Sequence, residues 1–408
     1  MLNKIWTYFF VIALAAIVWR LAHGDTQVAG VAIKAVFDSA ELAATIALGL
    51  IGVLSLWMGL MRLGEQSGMI GLISRIFEPL LGKLMPELPK GDRAFGSVTM
   101  NLTANMFGLD NAATPLGLKA MEDLQRHNPS KDTASNAQIM FLVLNTSSVT
   151  LVPVTIFLYR AQQGAAAPAD VFLPILLATS ASTLAGLISV AVMQRLPLLN
   201  LTFAAYAGVC LTLFGAMIAY LTTLTADAIG AMSTLIGNLV LLSLVFLLVL
   251  AAVVRKVPVY DEFVEGAKEG FSQSVKLIPY LLAMLLAIAL LRGSGALDLF
   301  LDAVRWCVNS VGLDNRFVDA LPTGLMQPLS GSGARALALE TMSHYGVDSF
   351  PGRLSAIFQG STETTFYVFA VYFGAVGIRN GRHAIGCGLI ADLTGIIAAI
   401  FVAYWFYG

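Results

Sequence analysis

Charge is what this sequence has least of. Charged residues make up 12% of its 408 positions, where a soluble domain carries roughly a quarter. Hydrophobic residues make up 57%, and mean hydropathy is +0.79. The net charge of −1 supplies no basic field, so nucleic acid is not an expected partner. Cysteine is scarce: Cys210, Cys307 and Cys387 are isolated and odd in number, which supports neither a disulfide framework nor a thiolate metal site. The four histidines, His23, His127, His344 and His383, are equally scattered. There is no H-E-x-x-H, no phosphate-binding Walker loop and no G-x-S-x-G elbow. The expectation is a protein that is not an enzyme and holds no resident metal or cofactor.

What the sequence has in abundance is long apolar runs. Leu42 to Met61, Thr133 to Tyr159, Val171 to Gln194, Leu196 to Ala226 and Ala228 to Val254 all reach the roughly 20 residues that a hydrocarbon core demands. Shorter runs lie at Ile5 to Trp19, at Leu277 to Leu291 and beyond Asp392. A β-barrel would instead alternate over segments of about ten residues. The expected class is an all-α polytopic membrane protein. Ile5 to Trp19 follows Lys4 as a secretory leader would, but no small-residue cleavage pattern follows and Arg20 stands in its place, so a retained first helix is expected. Arg255 and Lys256 place the end of the Ala228–Val254 run on the cytoplasmic side.

The chain repeats itself at low identity. "KAVFDSAELA" from Lys34 pairs with "EFVEGAKEGF" from Glu262, and "QSGMIGLISRIF" from Gln66 pairs with "GSGALDLFLDAV" from Gly293. "AATPLGLKAMEDL" from Ala112 pairs with "GARALALETMSHY" from Gly333, and "LNTSSVTLVPVTIFLYR" from Leu144 pairs with "QGSTETTFYVFAVYFGA" from Gln359. Four collinear blocks imply a duplication, with units near 34–194 and 261–408. Internal repeats are a common plan of secondary transporters, whose binding sites lie where apolar helices are broken by Gly, Pro and polar residues in corresponding places.

Such breaks occur here in two matched pairs. "NLTANMFGLDNAATP" from Asn101 corresponds to "MQPLSGSGARAL" from Met326, and "NTSS" from Asn145 corresponds to "GSTETT" from Gly360. Non-helical backbone at membrane depth is tolerated only when buried in protein or lining a water-filled cavity. Residues 95–126 and 319–346 are therefore expected to form re-entrant helical hairpins. Pro115 would sit in the first turn of a helix beginning after Asn111, and a second helix would begin at Ala334. Single Ser and Thr residues in such helices often bond only their own backbone. Asp110 has an alternative role as a helix cap, and Glu363 one as partner of Arg335 or Arg353. The functional reading rests on the matched set.

Two groups of motifs carry a family resemblance over nearly the whole chain. "EQSGMIGLISRIFEPLLGKLMPELP", "NLTANMFGLDNAATPLGLKAMEDL" and "FLVLNTSSVTLVPVTI" resemble spore maturation protein A. "RGSGALDLFL", "PLSGSGARA" and "QGSTETTFYVFAVYFGAVGIRNGRHAIGCGLIADLTG" resemble spore maturation protein B. The chain looks like a fusion of the two, with an A-like gate domain over 1–195 and a B-like one over 196–408. The resemblance implies the nucleoside-recognition, or gate, class of membrane domain, with re-entrant hairpins and a multi-pass place in the bacterial cytoplasmic (inner) membrane. Related gates that carry ferrous iron hold a cysteine, which the polar breaks here lack.

The resulting expectation is a transporter or permease for a small polar solute, nucleoside-like, coupled to a sodium ion or a proton. Asn101, Asn105, Asp110, Asn111 and Thr114 would line one half-site, and Gln327, Ser330 and Ser332 the other. Asn145, Thr146, Ser147, Gln359, Ser361, Thr362, Glu363 and Thr364 would close it, since amides and hydroxyls suit sugar hydroxyls and base edges. Glu363 is expected to couple transport, with Asp392 as the second carboxylate inside an apolar span. The lipid bilayer is the expected surrounding, and further copies of this chain are expected partners. The alternative is a non-transporting membrane protein that serves envelope or spore maturation through partners. A serine hydrolase built on Ser330 or Ser332 lacks a His or Lys in an evident activating position.

Overall fold

Apolar runs of this length have one economical backbone solution in lipid, because a helix satisfies every N–H and C=O within its own segment. The computed structural model describes residues 2–89, 91–106, 110–147, 150–197 and 200–408. The described residues are helical and contain no strand; one isolated bridge joins Thr133 to Asn380. The helices are α1 (Leu2–Ala22), α2 (Val28–Gln66), α3 (Met69–Leu84), α4 (Arg93–Met106), α5 (Asp110–Gln125), α6 (Asn136–Ser147), α7 (Val154–Gln162), α8 (Phe172–Gln194) and α9 (Leu201–Leu221). Then come α10 (Ala226–Val254), α11 (Val259–Gly293), α12 (Ala296–Ser310), a short 3-10 turn (Val318–Ala320), α13 (Leu321–Met326), α14 (Gly331–Tyr345), α15 (Phe350–Ser361), α16 (Thr365–Ala375) and α17 (Ala384–Tyr407). Among the described residues, seven helices are long and apolar enough to cross a membrane: α1, α2, α8, α9, α10, α11 and α17. The protein is a polytopic all-α membrane protein.

The helix stops are written in the sequence. α2 and α11 are each followed directly by a serine and a glycine, and the serine turns back on the helix before it. Ser67 Oγ donates to the Gly64 carbonyl at 2.9 Å, and Ser294 Oγ donates to the Leu291 carbonyl at 2.9 Å. Gly68 and Gly295 then adopt left-handed backbone, with φ of 73° and 78°. That conformation costs a side-chain-bearing residue its Cβ–carbonyl clearance, so glycine is the natural choice. At Gly68 nothing lies within 4 Å of where a Cβ would be, so backbone angle, not crowding, sets the requirement. The short amphipathic helices α3 and α12 begin directly after these turns.

Two sequence expectations change in detail. The run Thr133 to Tyr159 is not one span: α6 stops at Ser147 and α7 starts at Val154. Helix α14 starts at Gly331, three residues before Ala334, because Ser330 caps it. The Ser330 backbone is extended and its Oγ accepts from the Gly333 N–H at 3.1 Å.

The chain packs as two compact units, each drawing segments from both ends of the sequence. The first comprises residues 1–60, 158–166 and 260–359. Its core joins α2 and α11 with the second polar break: Ala43, Ile46, Leu50, Leu281, Met284, Leu285 and Ile288 pack with Met326, Ala334 and Leu337. Gly59 faces the Phe263 ring, and Gly270 lies directly on the Leu54 backbone, a close approach of the kind small residues permit between membrane helices.

The second unit comprises residues 61–157, 167–259 and 360–408. Its core is built from α3, α4, α5, α6, α8, α16 and α17, with Phe95, Met121, Phe141, Val190, Phe369 and Tyr372 buried together. α17 packs along α8 and α6, and α16 packs on α5 and α6. The loops leading into α6 and α17 are stapled: Arg379 and Asn380 N–H donate to the Asp132 carbonyl at 2.8 and 2.9 Å, and Ala134 N–H donates to Asn380 at 2.9 Å. His383 sits in this staple, and burial and the neighbouring Arg382 hold its imidazole below the usual histidine range.

Candidate functional site

In the second unit the two halves of the "NTSS"/"GSTETT" pair meet. α6 ends at Ser147, and a helix end leaves its last carbonyls without intrahelical donors. The segment between α15 and α16 supplies one: Glu363 N–H donates to the Thr146 carbonyl at 2.8 Å. α8 supplies the next, as Thr179 and Thr183 hydroxyls donate to the Ser147 carbonyl at 3.4 and 3.2 Å. The Glu363 carboxylate turns onto its own chain and accepts the Thr364 N–H at 3.2 Å.

The end of α4 reaches the same place. Asn105 on α4 donates to Asn145 Oδ1 at 2.7 Å, while Asn145 Nδ2 donates to the Phe141 carbonyl one turn back. The Leu151 and Val152 N–H groups donate to the Met106 carbonyl at 3.0 and 3.2 Å. The end of α4, the end of α6 and the segment before α16 thus form one polar junction among apolar helices.

A second polar point joins α4 to α5 and α16. Asn101 is fully buried; its Nδ2 donates to the Ala113 carbonyl of α5 at 2.7 Å and approaches Tyr372 Oη at 3.5 Å. Its Oδ1 is buried without a hydrogen-bond partner. Tyr372 fits here because residue 117 is glycine: a Cβ there would collide with the phenol oxygen. Pro115 is the sixth residue of α5, not part of a first turn after Asn111, since the helix already runs from Asp110. A proline there withdraws the intrahelical donor from the carbonyl at 111.

The third polar point is Asp392, in the middle of α17. Asp392 is 1% exposed, and Thr365, the first residue of α16, donates to its Oδ2 at 2.7 Å. Ser182 on α8 donates to the Ala391 carbonyl at 3.0 Å.

The predicted residues therefore fall out as follows. Asn105, Asn145, Thr146, Ser147, Glu363 and Thr364 share the junction, although the Thr146 and Ser147 hydroxyls bond back to Val143 and Leu144 and only their carbonyls take part. Ser361 and Thr362 are buried beside it, and Thr114 is half-buried on α5. The side chains of Asp110 and Asn111, and Ser148 altogether, lie outside the described residues. In the first unit, Gln327 Nε2 donates to the Gln359 carbonyl at 3.5 Å, and the Ser330 and Ser332 hydroxyls lie 3.3 Å apart.

Thr179, Thr183, Ser182, Thr365 and Tyr372 were not among the expected site residues. The "TSAST" run from Thr179 on α8 was the visible signal, because polar residues spaced by three and four share one helical face. Among the described residues no group of three or more His, Cys, Asp or Glu is placed to hold a metal ion.

Comparison with known proteins agrees with the geometry at the level of family. The Gate family, described as nucleoside recognition, matches residues 47–162 and 274–379, together more than half of the chain. Spore maturation protein B of Bacillus subtilis (strain 168) is 42% identical over 161 residues, 40% of this chain and 89% of that protein. Spore maturation protein A of the same organism is 42% identical over 188 residues, 46% of this chain and 93% of that protein. No solved structure matches. With its membrane-capable helices, its bacterial relatives and both matched segments, this chain is a multi-pass membrane protein that belongs to the Gate (nucleoside recognition) family.

Proposed function

We propose that this protein is a permease for a small polar solute of nucleoside type, seated in the bacterial cytoplasmic (inner) membrane and coupled to an ion or proton. The observation that carries the reading is the junction of Asn105, Asn145, Thr146 and Glu363, where three helix ends bring amides, helix-end carbonyls held by neighbouring segments and a carboxylate together inside an apolar bundle. Such broken helices supply directional donors and acceptors that an unbroken membrane helix keeps for itself. The family description, nucleoside recognition, supports the solute class. The buried orphan oxygen of Asn101 supports it too, since a ligand N–H or O–H would complete it.

The same reading takes 95–126 and 319–346 as re-entrant hairpins and the two sequence halves as an old duplication, joined near residue 195. The matched serine–glycine stops at Ser67–Gly68 and Ser294–Gly295 support the duplication. The reading is non-enzymatic.

The test is a thermal-stability screen of the purified full chain in detergent against nucleosides, nucleobases, sugars, amino acids and dicarboxylates, with and without sodium and across pH. A ligand at about 100 times its Kd adds roughly 2.7 kcal/mol to the folded state. Stabilisation by nucleosides that is lost in Asn101→Ala and Asn145→Ala, followed by uptake in vesicles, is the expected result. The second reading, a non-transporting protein acting through envelope partners, draws on the names of the two spore maturation relatives. A flat panel together with a stable co-purifying partner would replace the first reading by the second.

A further inference from the structure

We propose that Asp392 and Thr365 form a proton-binding site, and that Asp392, not Glu363, carries the coupling proton. The inference deepens the transport reading by assigning the coupled species, yet its core claim concerns one carboxyl group and needs no solute to test.

The two carboxylates differ in surroundings. Glu363 is half-buried in the junction, and a backbone N–H already holds its carboxylate. Asp392 is 1% exposed in the middle of a membrane-capable helix. Thr365 donates to its Oδ2, and its Oδ1 is buried with no hydrogen-bond partner among the described residues. A charged carboxylate at that depth is expensive unless paired with a cation. α17 packs on α6, α8, α10 and α16. α6 and α8 carry no titratable side chain, α10 carries Asp227 at its start, and α16 carries Tyr367 and Tyr372, with Glu363 just before it. None of these is a Lys, Arg or His that could neutralise Asp392.

Two species could satisfy Oδ1: a metal cation or a proton. A sodium ion needs several oxygen ligands around a cavity of its own size. The neighbouring helices close in about one turn to either side of Asp392. A Cβ on Gly388 would stand 2.9 Å from Thr365 Cγ2, and one on Gly395 would stand 2.6 Å from Thr362 Cγ2 and 3.2 Å from Ser182 Cβ. The Ser182 hydroxyl is already committed to the Ala391 carbonyl. A proton needs no cavity. It adds to Oδ1 from hydronium, leaving water and a neutral carboxyl, and returns to water on release. Throughout, Oδ2 stays an acceptor for the Thr365 hydroxyl, so that bond survives in both states and fixes Oδ1 as the proton's position. Thr365 opens α16 directly after the Glu363 segment that caps α6. A change of charge on Asp392 is therefore felt at the solute junction through one hydroxyl and one helix start.

The experiment is pH-dependent infrared difference spectroscopy on the full chain in lipid nanodiscs, for wild type, Asp392→Asn, Thr365→Val and Glu363→Gln. The expected result is a neutral-carboxyl stretch that titrates with pH, is missing in Asp392→Asn, persists in Glu363→Gln and shifts in frequency in Thr365→Val, which loses the hydroxyl and keeps the carboxyl. Identical spectra for wild type and Asp392→Asn overturn the proposal. Should Asp392→Asn not fold, an unshifted band in Thr365→Val overturns it instead. A carboxylate band that responds to sodium and not to pH also overturns it, in favour of a metal cation. Solute uptake measured separately keeps the two readings apart: a titrating Asp392 in a chain that moves no solute leaves the proton site standing and removes the permease.

Discussion

Asn105 and Asn145, forty residues apart, share a 2.7 Å hydrogen bond that ties the end of α4 to the end of α6. Asn145 is buried and uses both ends of its amide, one on Asn105 and one on the Phe141 carbonyl. Interhelical amide bonds of this kind contribute about 1 kcal/mol in membrane proteins. Asn105→Ala should lower the unfolding midpoint in detergent modestly. Asn145→Ala should cost more, about 2 kcal/mol, because it removes two bonds at once. Equal effects from both substitutions would show that the shared bond dominates and the local one is idle.

Gly117 is a socket for Tyr372. A methyl group there would meet the phenol oxygen and stand 2.9 Å from Asn101 Nδ2. Gly117→Ala should therefore destabilise the second unit by about 1–3 kcal/mol through overpacking. Adding Tyr372→Phe removes the colliding oxygen and should recover part of that loss. A double-mutant cycle on thermal unfolding reads the coupling directly; strictly additive effects would contradict the socket.

Ser330 caps α14 by accepting the Gly333 N–H. Ser330→Ala should cost about 1 kcal/mol, and Ser330→Thr should recover most of it, because a threonine hydroxyl caps as serine does without adding a buried charge. Amide hydrogen exchange over residues 331–335 is the local readout: faster exchange in the alanine variant and near-normal exchange in the threonine variant.

The turn between α1 and α2 is pinned by Arg20 and Asp25, whose side chains pair at 2.5 Å. The hydrogen bond from Arg20 holds the Asp25 carboxyl below its ordinary range. A depressed folded-state value means that the unfolded chain binds the proton more readily. The contribution is thus complete above the ordinary carboxylate range and is lost as pH falls through the folded value. The protection of the turn amides, taken relative to the intrinsic exchange rate at each pH, should fall on acidification in wild type and stay level in Asp25→Asn. The pair is half-exposed at the end of α1, so global stability should move little.

The membrane class and the main spans were legible along the chain, because they depend on local quantities. Length and hydropathy decide whether a segment crosses lipid. A serine–glycine pair is less decisive: it follows the end of α11 at Ser294–Gly295 but lies inside α14 at Ser332–Gly333. The positions of the polar breaks were legible too, since Asn145 and Glu363 violate an otherwise apolar rule. What each polar group does was not. Thr146 and Ser147 read as ligand hydroxyls, yet their hydroxyls bond their own helix and their carbonyls meet the neighbours. Glu363 stood out more than Asp392 because it sits in a polar motif, whereas the isolation of Asp392 becomes visible only when α8, α16 and α17 are packed around it.

By itself, then, the sequence determined that this is a helical membrane protein of the Gate family with polar breaks in its apolar runs, since composition, period and motif are properties of the chain in one dimension. Tertiary structure alone decided which breaks meet. It set Asn105 on Asn145, seated Tyr372 in the socket of Gly117, and left Asp392 with a single threonine. In the same socket Tyr372 also meets Asn101, 271 positions away. These pairings follow from which helix faces can bury their small residues against one another, and that is settled only when all of the helices pack at once.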